Sequence, residues 1–265
     1  MIRVYIHCII LLALLPCIAA AQQRQQYITV QHGHFVQGGK PYYYIGANYW
    51  YGGLLAQGQD TAKGKERLRK ELDFLQAQGV TNLRILAGSE GQGRVNGVDR
   101  VQPSLQPTHG VYDSAWLAGL DYLLYEMGKR HLYAVLYLSN NWEWSGGFLQ
   151  YLNWNHIISD SVMQSKMSWD GLRDNTSRFY QCAPCMADYR QQVHHIITHV
   201  NPYTHRAYRD EPAIMAWELA NEPRPMRPAA TAAYIQWTAT AAADIKAIDP
   251  HHLVTLGTEI GRAHV

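Results

Sequence analysis

The chain has 265 residues, of which 47% are hydrophobic and 17% charged, and its formal net charge is +2. This composition is typical of a globular protein and excludes both a disordered chain and a membrane-embedded one. Because charges of both signs are scattered along the sequence, we expect no binding to nucleic acid or to an anionic membrane surface.

The aromatic side chains are unusual in kind, with 8 Trp and 18 Tyr against 4 Phe. Tyr and Trp combine a flat apolar face with a polar edge. That combination suits sugar rings, which have apolar C–H faces and hydroxyl rims. Packing in the core and at interfaces is the alternative explanation for these residues.

The N-terminus has the pattern of a signal peptide over residues 1–21. Arg3 precedes an apolar run at residues 9–15, and small residues at 19–21 precede Gln22. The apolar run is too short to cross a bilayer. We therefore expect an exported protein without a membrane span, secreted to the extracellular space or the periplasm.

Strand and helix patterns alternate through the rest of the chain. Apolar, β-rich runs predict strands at residues 42–48, 80–86, 132–138, 213–219 and 253–257. Periodic apolar residues predict a helix capped by Asp60, a second capped by Ser114, a third near residues 187–200 and a fourth at 229–248. This β-α-β-α order indicates a parallel sheet with right-handed crossovers.

The loops favour a (β/α)8 TIM barrel over a doubly wound sheet. The connections after strands, residues 87–113 and 139–177, are long, and a barrel builds its active site from such loops. A doubly wound sheet usually has a Gly-rich phosphate-binding turn after its first strand, but here that strand ends in GANYW at residues 46–50. Because a barrel needs eight strands and about 250 residues, we expect an α/β barrel that is truncated after about its fifth strand.

Two cysteines, Cys182 and Cys185, lie beyond the signal peptide. In an oxidising compartment this C-A-P-C pair forms a short local disulfide or remains as two inert thiols. A redox motif would need a matching βαβ context, and a zinc site would need about four ligands. The sequence offers neither.

The sequence WELANEPR at residues 217–224 carries the strongest chemical signal. A buried strand leads into two carboxylates, Glu218 and Glu222, with Asn221 and Pro223 beside the second. Alternation along the strand predicts Glu218 and Glu222 on one side and Asn221 on the other, until the turn breaks the pattern. Pro223 predicts an extended conformation for Glu222. The alternative is a glutamate that caps a helix or forms a salt bridge.

A longer string, residues 201–224, closely resembles glycoside hydrolase family 5 of the mannanase type. Residues 46–50 look like the family's first strand, residues 82–84 like its second, and Asn140-Asn141-Trp142 like its third loop. The resemblance covers roughly residues 28–259. It implies a secreted, retaining hydrolase that cleaves internal β-1,4-mannosidic linkages in mannan, galactomannan or glucomannan.

The resemblance also implies roles for five residues. Glu222 matches the catalytic acid/base, Asn221 the residue that hydrogen-bonds the sugar 2-hydroxyl, and Arg84 the arginine that supports the nucleophile. Trp50 and Trp142 match substrate-binding residues, with packing in the core or a loop as the alternative.

Retaining hydrolysis uses two carboxyl groups about 5–5.5 Å apart. One attacks the anomeric carbon, and the other protonates the leaving oxygen and later deprotonates water, so no metal or organic cofactor is required. The family's nucleophile follows its seventh strand, which this chain does not reach. We therefore expect the chain as written to lack activity. Glu218 is expected to be structural, and Glu259 matches a turn after the fifth strand, so neither is assigned as the nucleophile.

Residues 22–259 are accordingly expected to be a partial catalytic domain, and residues 260–265, IGRAHV, a non-native tail. That hexapeptide looks like the translation of a sequencing-adapter oligonucleotide, and a genuine stop codon after Val265 in the source locus would contradict this. The parent protein is expected to bind β-mannan polysaccharide or oligosaccharide as a monomer. The alternatives are a β-1,4-glucanase or an exo-mannosidase, and a non-catalytic carbohydrate-binding protein on the same scaffold.

Overall fold

The structure is a computed structural model that describes residues 26–57 and 61–258. The expected signal peptide, the Asp60 cap, Glu259 and the expected tail at 260–265 lie outside the described residues. The described strands are β1 (Ile28–Gln31), β2 (His34–Gln37), β3 (Lys40–Pro41), β4 (Ile45–Asn48), β5 (Val80–Leu86), β6 (Arg94–Val95), β7 (Val98–Asp99), β8 (Tyr133–Tyr137), β9 (Val200–Asn201), β10 (Arg206–Ala207), β11 (Ile214–Glu218) and β12 (Leu253–Thr255).

The α-helices are α1 (Gly52–Leu55), α2 (Thr61–Ala77), α3 (Ser114–Lys129), α4 (Gly147–Trp154), α5 (Asp160–Gln164), α6 (Trp169–Ser177), α7 (Ala183–Thr198) and α8 (Thr231–Ile248). Short 3-10 turns lie at Glu143–Ser145, Arg178–Gln181, Tyr208–Asp210 and Pro228–Ala230. In the part of the chain that the structure describes, none of the helices is both long and apolar enough to cross a membrane.

The centre of the fold is a five-stranded parallel sheet with the order β4-β5-β8-β11-β12. The five strands lie side by side in the order in which they occur along the chain. Their carboxyl ends are aligned, because Asn48 pairs with Arg84 and Glu218 pairs with both Tyr137 and Thr255. The order never reverses, so the sheet has no switch point of the doubly wound kind. The predicted parallel α/β sheet is therefore confirmed, while its closure into an eight-stranded barrel stays a prediction.

Apolar side chains cover both faces of the inner strands. On one face, the buried leucines of α2, Leu68 and Leu72, and the apolar residues of α3 join a continuous core that includes Trp217. On the other face, Ile28 of β1 packs with Tyr133 and Met215 at the beginning of β8 and β11. The antiparallel sheet of β1, β2 and β3 thus covers one end of the parallel sheet, and the sequence patterns did not predict it.

Two predicted helix starts are corrected. The cap of α3 is Asp113, whose Oδ1 accepts from Ala115 N at 2.8 Å, because Ser114 is already the first helical residue. Helix α7 begins at Ala183, four residues earlier than expected, with a proline in its first turn, where the missing N–H is harmless. Cys182 and Cys185 form a disulfide across this turn, which decides between the two alternatives that the sequence left open.

The long loops at the carboxyl ends of the strands contain structure of their own. The connection after β5 contains the hairpin of β6 and β7, and the connection after β8 contains α4, α5 and α6. These elements build the surroundings of the strand ends, where the sequence places the candidate catalytic residues.

Candidate active site

Three polar side chains meet at the carboxyl end of the sheet, from β5, from β11 on the other side of β8, and from the turn that follows β11. Arg84 of β5 donates from Nε to Glu218 Oε2 at 3.0 Å and from Nη2 to Glu218 Oε1, and the same Nη2 donates to Asn221 Oδ1 at 2.7 Å. The guanidinium lies 4.5 Å from the ring centroid of Tyr137, which supports it from β8. The structure therefore brings together Arg84 and Asn221, two of the predicted site residues.

Glu218 belongs to this cluster, although the sequence predicts a structural role for it and not a place among the site residues. The prediction that Asn221 faces away from Glu218 is wrong, because β11 ends at Glu218 and the following turn brings both side chains to Arg84. Glu218 is expected to be structural, and its bidentate contact with Arg84 agrees with a supporting role. Nothing in WELANEPR alone identifies its partner, since Arg84 is 134 residues away.

Burial raises the pKa of the Glu218 carboxyl, and the negative charge of Glu222 adds to that effect, whereas the hydrogen bonds and the charge of Arg84 oppose it. Buried carboxylates whose pKa is shifted by neighbouring charges of both signs are common at functional sites. Charges of both signs are therefore concentrated where the strands end.

The amide of Asn221 is fixed from two sides. Its Oδ1 accepts from Arg84, and its Nδ2 donates to Asn140 Oδ1 at 3.0 Å. The backbone around it is also paired, since Asn221 N donates to Ser139 O at 2.8 Å and Asn141 N donates to Asn221 O at 3.0 Å. Because an amide has two N–H donors and two acceptor lone pairs, Asn221 keeps one of each for a ligand while its orientation is held.

Glu222 is the carboxylate that faces the solvent side of the strand ends. Trp142 Nε1 donates to Glu222 Oε2 at 2.6 Å, and Arg224 Nη2 lies 3.6 Å from the same oxygen. Its side chain is 33% exposed, against 5% for that of Glu218. Of the two carboxylates, Glu222 is thus the one that a substrate can reach.

The backbone of Glu222 differs from the expected conformation. Its φ is +51°, in the left-handed region, so the prediction that Pro223 holds Glu222 extended is wrong. Glu222 N donates to Gly257 O at 2.9 Å, and this contact with the chain after β12 determines the turn. A non-glycine residue in this region is uncommon, and such strain concentrates at functional sites.

The two tryptophans predicted to bind substrate have different surroundings. Trp142 contacts Glu222 directly, its ring lies 5.0 Å from the guanidinium of Arg224, and it belongs to the loop that Asn140 orients, because Asn140 Oδ1 accepts from Trp142 N at 3.0 Å. Trp50 instead packs its ring against Trp144 at 5.4 Å and Tyr51 at 5.7 Å. Glu222 and Arg84 are not among the ring contacts of Trp50 in the described part of the chain.

Sequence reasoning missed Asn140 as the residue that links Asn221 to the loop of Trp142. It also missed Gly257, whose φ is +86° and whose Cα lies so close to Ala220 O and Glu218 Oε1 that a Cβ would collide with both. The Asn140-Asn141-Trp142 motif was a usable signal for the first. Nothing local signals the second, since the contact joins two strands that are distant in sequence.

A parallel sheet in chain order, with an accessible glutamate, a fixed amide and an arginine at the strand ends, agrees with the class that the sequence resembles, the glycoside hydrolases built on parallel strands. A family model described as "GH family 5 beta-mannosidase-like" matches residues 25–264. The chain therefore belongs to glycoside hydrolase family 5, in its β-mannosidase-like group.

Curated relatives agree with this membership. The chain is 30% identical to mannan endo-1,4-beta-mannosidase 1 of Oryza sativa subsp. japonica, with 88% of this chain and 49% of that protein covered. It is 29% identical to mannan endo-1,4-beta-mannosidase 1 of Solanum lycopersicum, with 95% and 58% covered. The chain thus spans about half the length of these relatives.

Solved structures give the same picture. The glycoside hydrolase family 5 mannosidase from Rhizomucor miehei is 30% identical, with a TM-score of 0.77 over 90% of this chain and 57% of that one. An endo-beta-1,4-mannanase from Thermotoga petrophila is 26% identical, with a TM-score of 0.63 over 83% of this chain and 43% of that one.

Proposed function

We propose that the protein is a secreted, retaining glycoside hydrolase that cleaves internal β-1,4-mannosidic linkages in mannan, galactomannan or glucomannan, with Glu222 as its acid/base. The observation that carries this proposal is the placement of Glu222: an accessible carboxylate in the turn after β11, in contact with Trp142 and next to the fixed amide of Asn221. Relatives named as mannan endo-1,4-beta-mannosidases support the choice of substrate.

Glu222, Asn221 and Arg84 each have a role in this mechanism. Glu222 protonates the glycosidic oxygen and then, once the leaving sugar has departed, removes a proton from the attacking water. Asn221 offers its remaining hydrogen-bonding groups to the 2-hydroxyl of the sugar at the cleavage point, a contact that strengthens as the transition state forms. Arg84 provides positive charge beside the place where the nucleophile is expected.

The nucleophile itself is expected in the part of the relatives that this chain does not span. Glu218 is a poor candidate, because both of its oxygens are engaged by Arg84. We infer that the whole protein forms the eight-stranded barrel of the family and supplies the second carboxylate from a later strand, at the roughly 5–5.5 Å separation that retention requires.

Exo-acting β-mannosidase activity is the second candidate, because the similar Rhizomucor miehei protein with a TM-score of 0.77 is a mannosidase by name rather than a mannanase. The two activities differ in their products. An endo-enzyme releases a ladder of oligosaccharides from mannan, whereas an exo-enzyme releases mannose alone.

The experiment is to resequence the source locus across codon 259, express the complete gene product, and assay it on mannan, cellulose and xylan. We expect hydrolysis of mannan with oligosaccharide products. Hydrolysis of cellulose alone would favour the glucanase alternative, and binding to mannan without turnover would favour a non-catalytic protein.

Glu222→Gln tests the assigned role in the same protein. The amide keeps the shape of the side chain but carries no transferable proton, so kcat should fall by about 10²–10⁴. The matched control is Glu66→Gln, which changes an exposed carboxylate of α2 that is paired with Lys70 and should leave kcat unchanged. Full activity of the Glu222 variant would remove this residue from its role.

A further inference from the structure

Trp169 is an exposed aromatic residue that lies next to the proposed active site. It is the first residue of α6, and 54% of its surface is exposed. Its ring stacks on that of Trp142, with the centroids 6.1 Å apart and the planes 23° from parallel. Because Trp142 donates to Glu222, the two rings form a continuous aromatic strip that begins at the acid/base.

The geometry of this strip suits a ligand with a flat apolar face. The Trp169 ring contacts that of Trp142 at 6.1 Å between centroids and the guanidinium of Arg173 at 6.0 Å, and 54% of the residue stays exposed, so part of this aromatic side chain remains free to contact a ligand. Single exposed apolar side chains are common and need no explanation. Trp169 differs from that case because it extends a partly buried aromatic residue that already contacts the acid/base.

Trp169 is also held in place by contacts between α6 and the chain that follows Glu222. Arg173 Nε donates to Met226 O at 2.9 Å. Arg227 forms ion pairs with Asp170 at 2.9 Å and with Asp174 at 2.6 Å. The first turns of α6 are therefore fastened to the same loop that carries the acid/base, which gives Trp169 a defined position relative to Glu222.

Two separate sets of contacts lead away from the strand end. Arg84 and Asn221 are linked to Glu218 and Asn140, whereas Trp169 is reached from Glu222 through Trp142. In the proposed mechanism the first set faces the sugar whose anomeric carbon reacts. The second set leads from the group that protonates the leaving oxygen, and this is the reason for assigning it to the leaving-group side.

We propose that Trp169 binds a hexose unit of the β-linked substrate on the leaving-group side, beyond the sugar next to Trp142. The inference rests on the proposed function, because it uses the role of Glu222 to tell the two sides apart. It predicts that long chains, which reach Trp169, gain affinity that short substrates do not.

The test compares Trp169→Ala with the wild type in the complete gene product, on mannohexaose and on a nitrophenyl β-mannobioside. The nitrophenyl group replaces the sugars of the leaving-group side, so this substrate does not reach Trp169. We expect kcat/KM on mannohexaose to fall about tenfold, mainly through KM, when the apolar contact is lost. The nitrophenyl substrate should be cleaved at the wild-type rate.

Trp169→Phe retains an aromatic face and should recover most of the loss. Phe74→Ala, which removes an exposed aromatic of α2, is the matched control and should change neither substrate. A fall on both substrates would overturn the proposal, since it would mean that Trp169 acts by positioning Trp142. An unchanged kcat/KM on mannohexaose would overturn it as well.

Direct binding separates this proposal from the proposed function. Calorimetric titration with mannohexaose is done in the Glu222→Gln background, which prevents turnover, and Trp169→Ala should weaken the affinity there by a similar factor of about ten. If the wild type cleaves neither substrate, the proposed function is wrong, and the titration alone decides on Trp169. Equal affinity with and without the Trp169 substitution would then refute the role of Trp169.

Discussion

Two buried carboxylates, Asp249 before β12 and Glu218 at the end of β11, lie near opposite ends of the sheet and have different surroundings. In the connection before β12, Asp249 Oδ2 accepts from Trp217 Nε1 at 2.6 Å and lies 2.5 Å from His252 Nδ1. Its Oδ1 accepts from the backbone N–H groups of His251 and His252 at 2.8 and 3.0 Å. At the end of β11, Glu218 is held by Arg84.

The two carboxyl groups accordingly shift in opposite directions. Burial raises the pKa of Asp249, but the hydrogen bonds and charge of His252 and the hydrogen bond of Trp217 outweigh it, which lowers the pKa to about 2. At Glu218, burial outweighs Arg84 and the pKa is raised. The surroundings of Asp249 stabilise its ionised carboxylate, whereas Arg84 does not fully offset the cost of burying the charge of Glu218. Such raised pKa values are common at functional sites, which lie at the carboxyl ends of the strands.

The largest effect on stability is expected from Arg84→Met. The variant leaves the ionised Glu218 buried without its partner, and breaking such a pair costs about 3–5 kcal/mol of unfolding free energy. Urea denaturation of the complete gene product at pH 7 measures it. The double variant Arg84→Met/Glu218→Leu removes both charges and should recover most of the loss; a double variant as unstable as the single one would contradict this account of the pair.

At the opposite end, Asp249→Asn should cost about 2 kcal/mol at pH 7, which follows from a shift of the pKa from 3.8 to about 2. Because the folded pKa is depressed, this stabilisation is present above pH 4 and is lost as the pH falls through about 2. Urea denaturation of both proteins at pH 7 and at pH 2.5 checks the sign. A difference that does not shrink on acidification would contradict it.

The sequence predicts the strands of the sheet well, because the apolar runs of β5, β8 and β11 are buried on both faces and depend little on distant contacts. It also predicts Arg84, Asn221, Glu222 and Trp142 as a group through the family resemblance. The antiparallel sheet of β1, β2 and β3 was missed, since its short strands are largely exposed and lack a clear apolar period.

Two predictions made from local sequence patterns, those for Glu222 and Asn221, are wrong at the candidate site. The conformation of Glu222 was predicted from Pro223, but the hydrogen bond from Glu222 N to Gly257 O connects it to another strand and sets φ at +51°. The side to which Asn221 points was predicted from strand alternation, which stops at Glu218. In both cases a contact between residues that are distant in sequence overrides a local preference, as is common at functional sites.

Trp142→Phe tests the hydrogen bond to Glu222 at the carboxyl end of the sheet. The variant keeps an aromatic ring but removes the Nε1 donor of Glu222, and a hydrogen bond to a charged group contributes about 1.5–3 kcal/mol. We expect kcat to fall about tenfold or more with little change in the denaturation midpoint. The loss should be equal on mannohexaose and on the nitrophenyl mannobioside, unlike the loss expected for Trp169→Ala.

The smallest expected effect concerns the pH dependence that Glu218 contributes. Because its folded pKa is raised, the stabilisation linked to the protonated carboxyl is present at low pH and is lost as the pH rises through the folded pKa, which is opposite in sign to Asp249. Carbon-detected NMR titration of the glutamate and aspartate carboxyls, assigned with Glu218→Gln and Asp249→Asn, measures both groups in one sample. Glu218 should titrate above the usual range of a glutamate and Asp249 near pH 2. If Glu218 instead titrated below that range, the Arg84 pair would outweigh its burial, and the two ends of the sheet would hold their carboxylates by the same balance of forces.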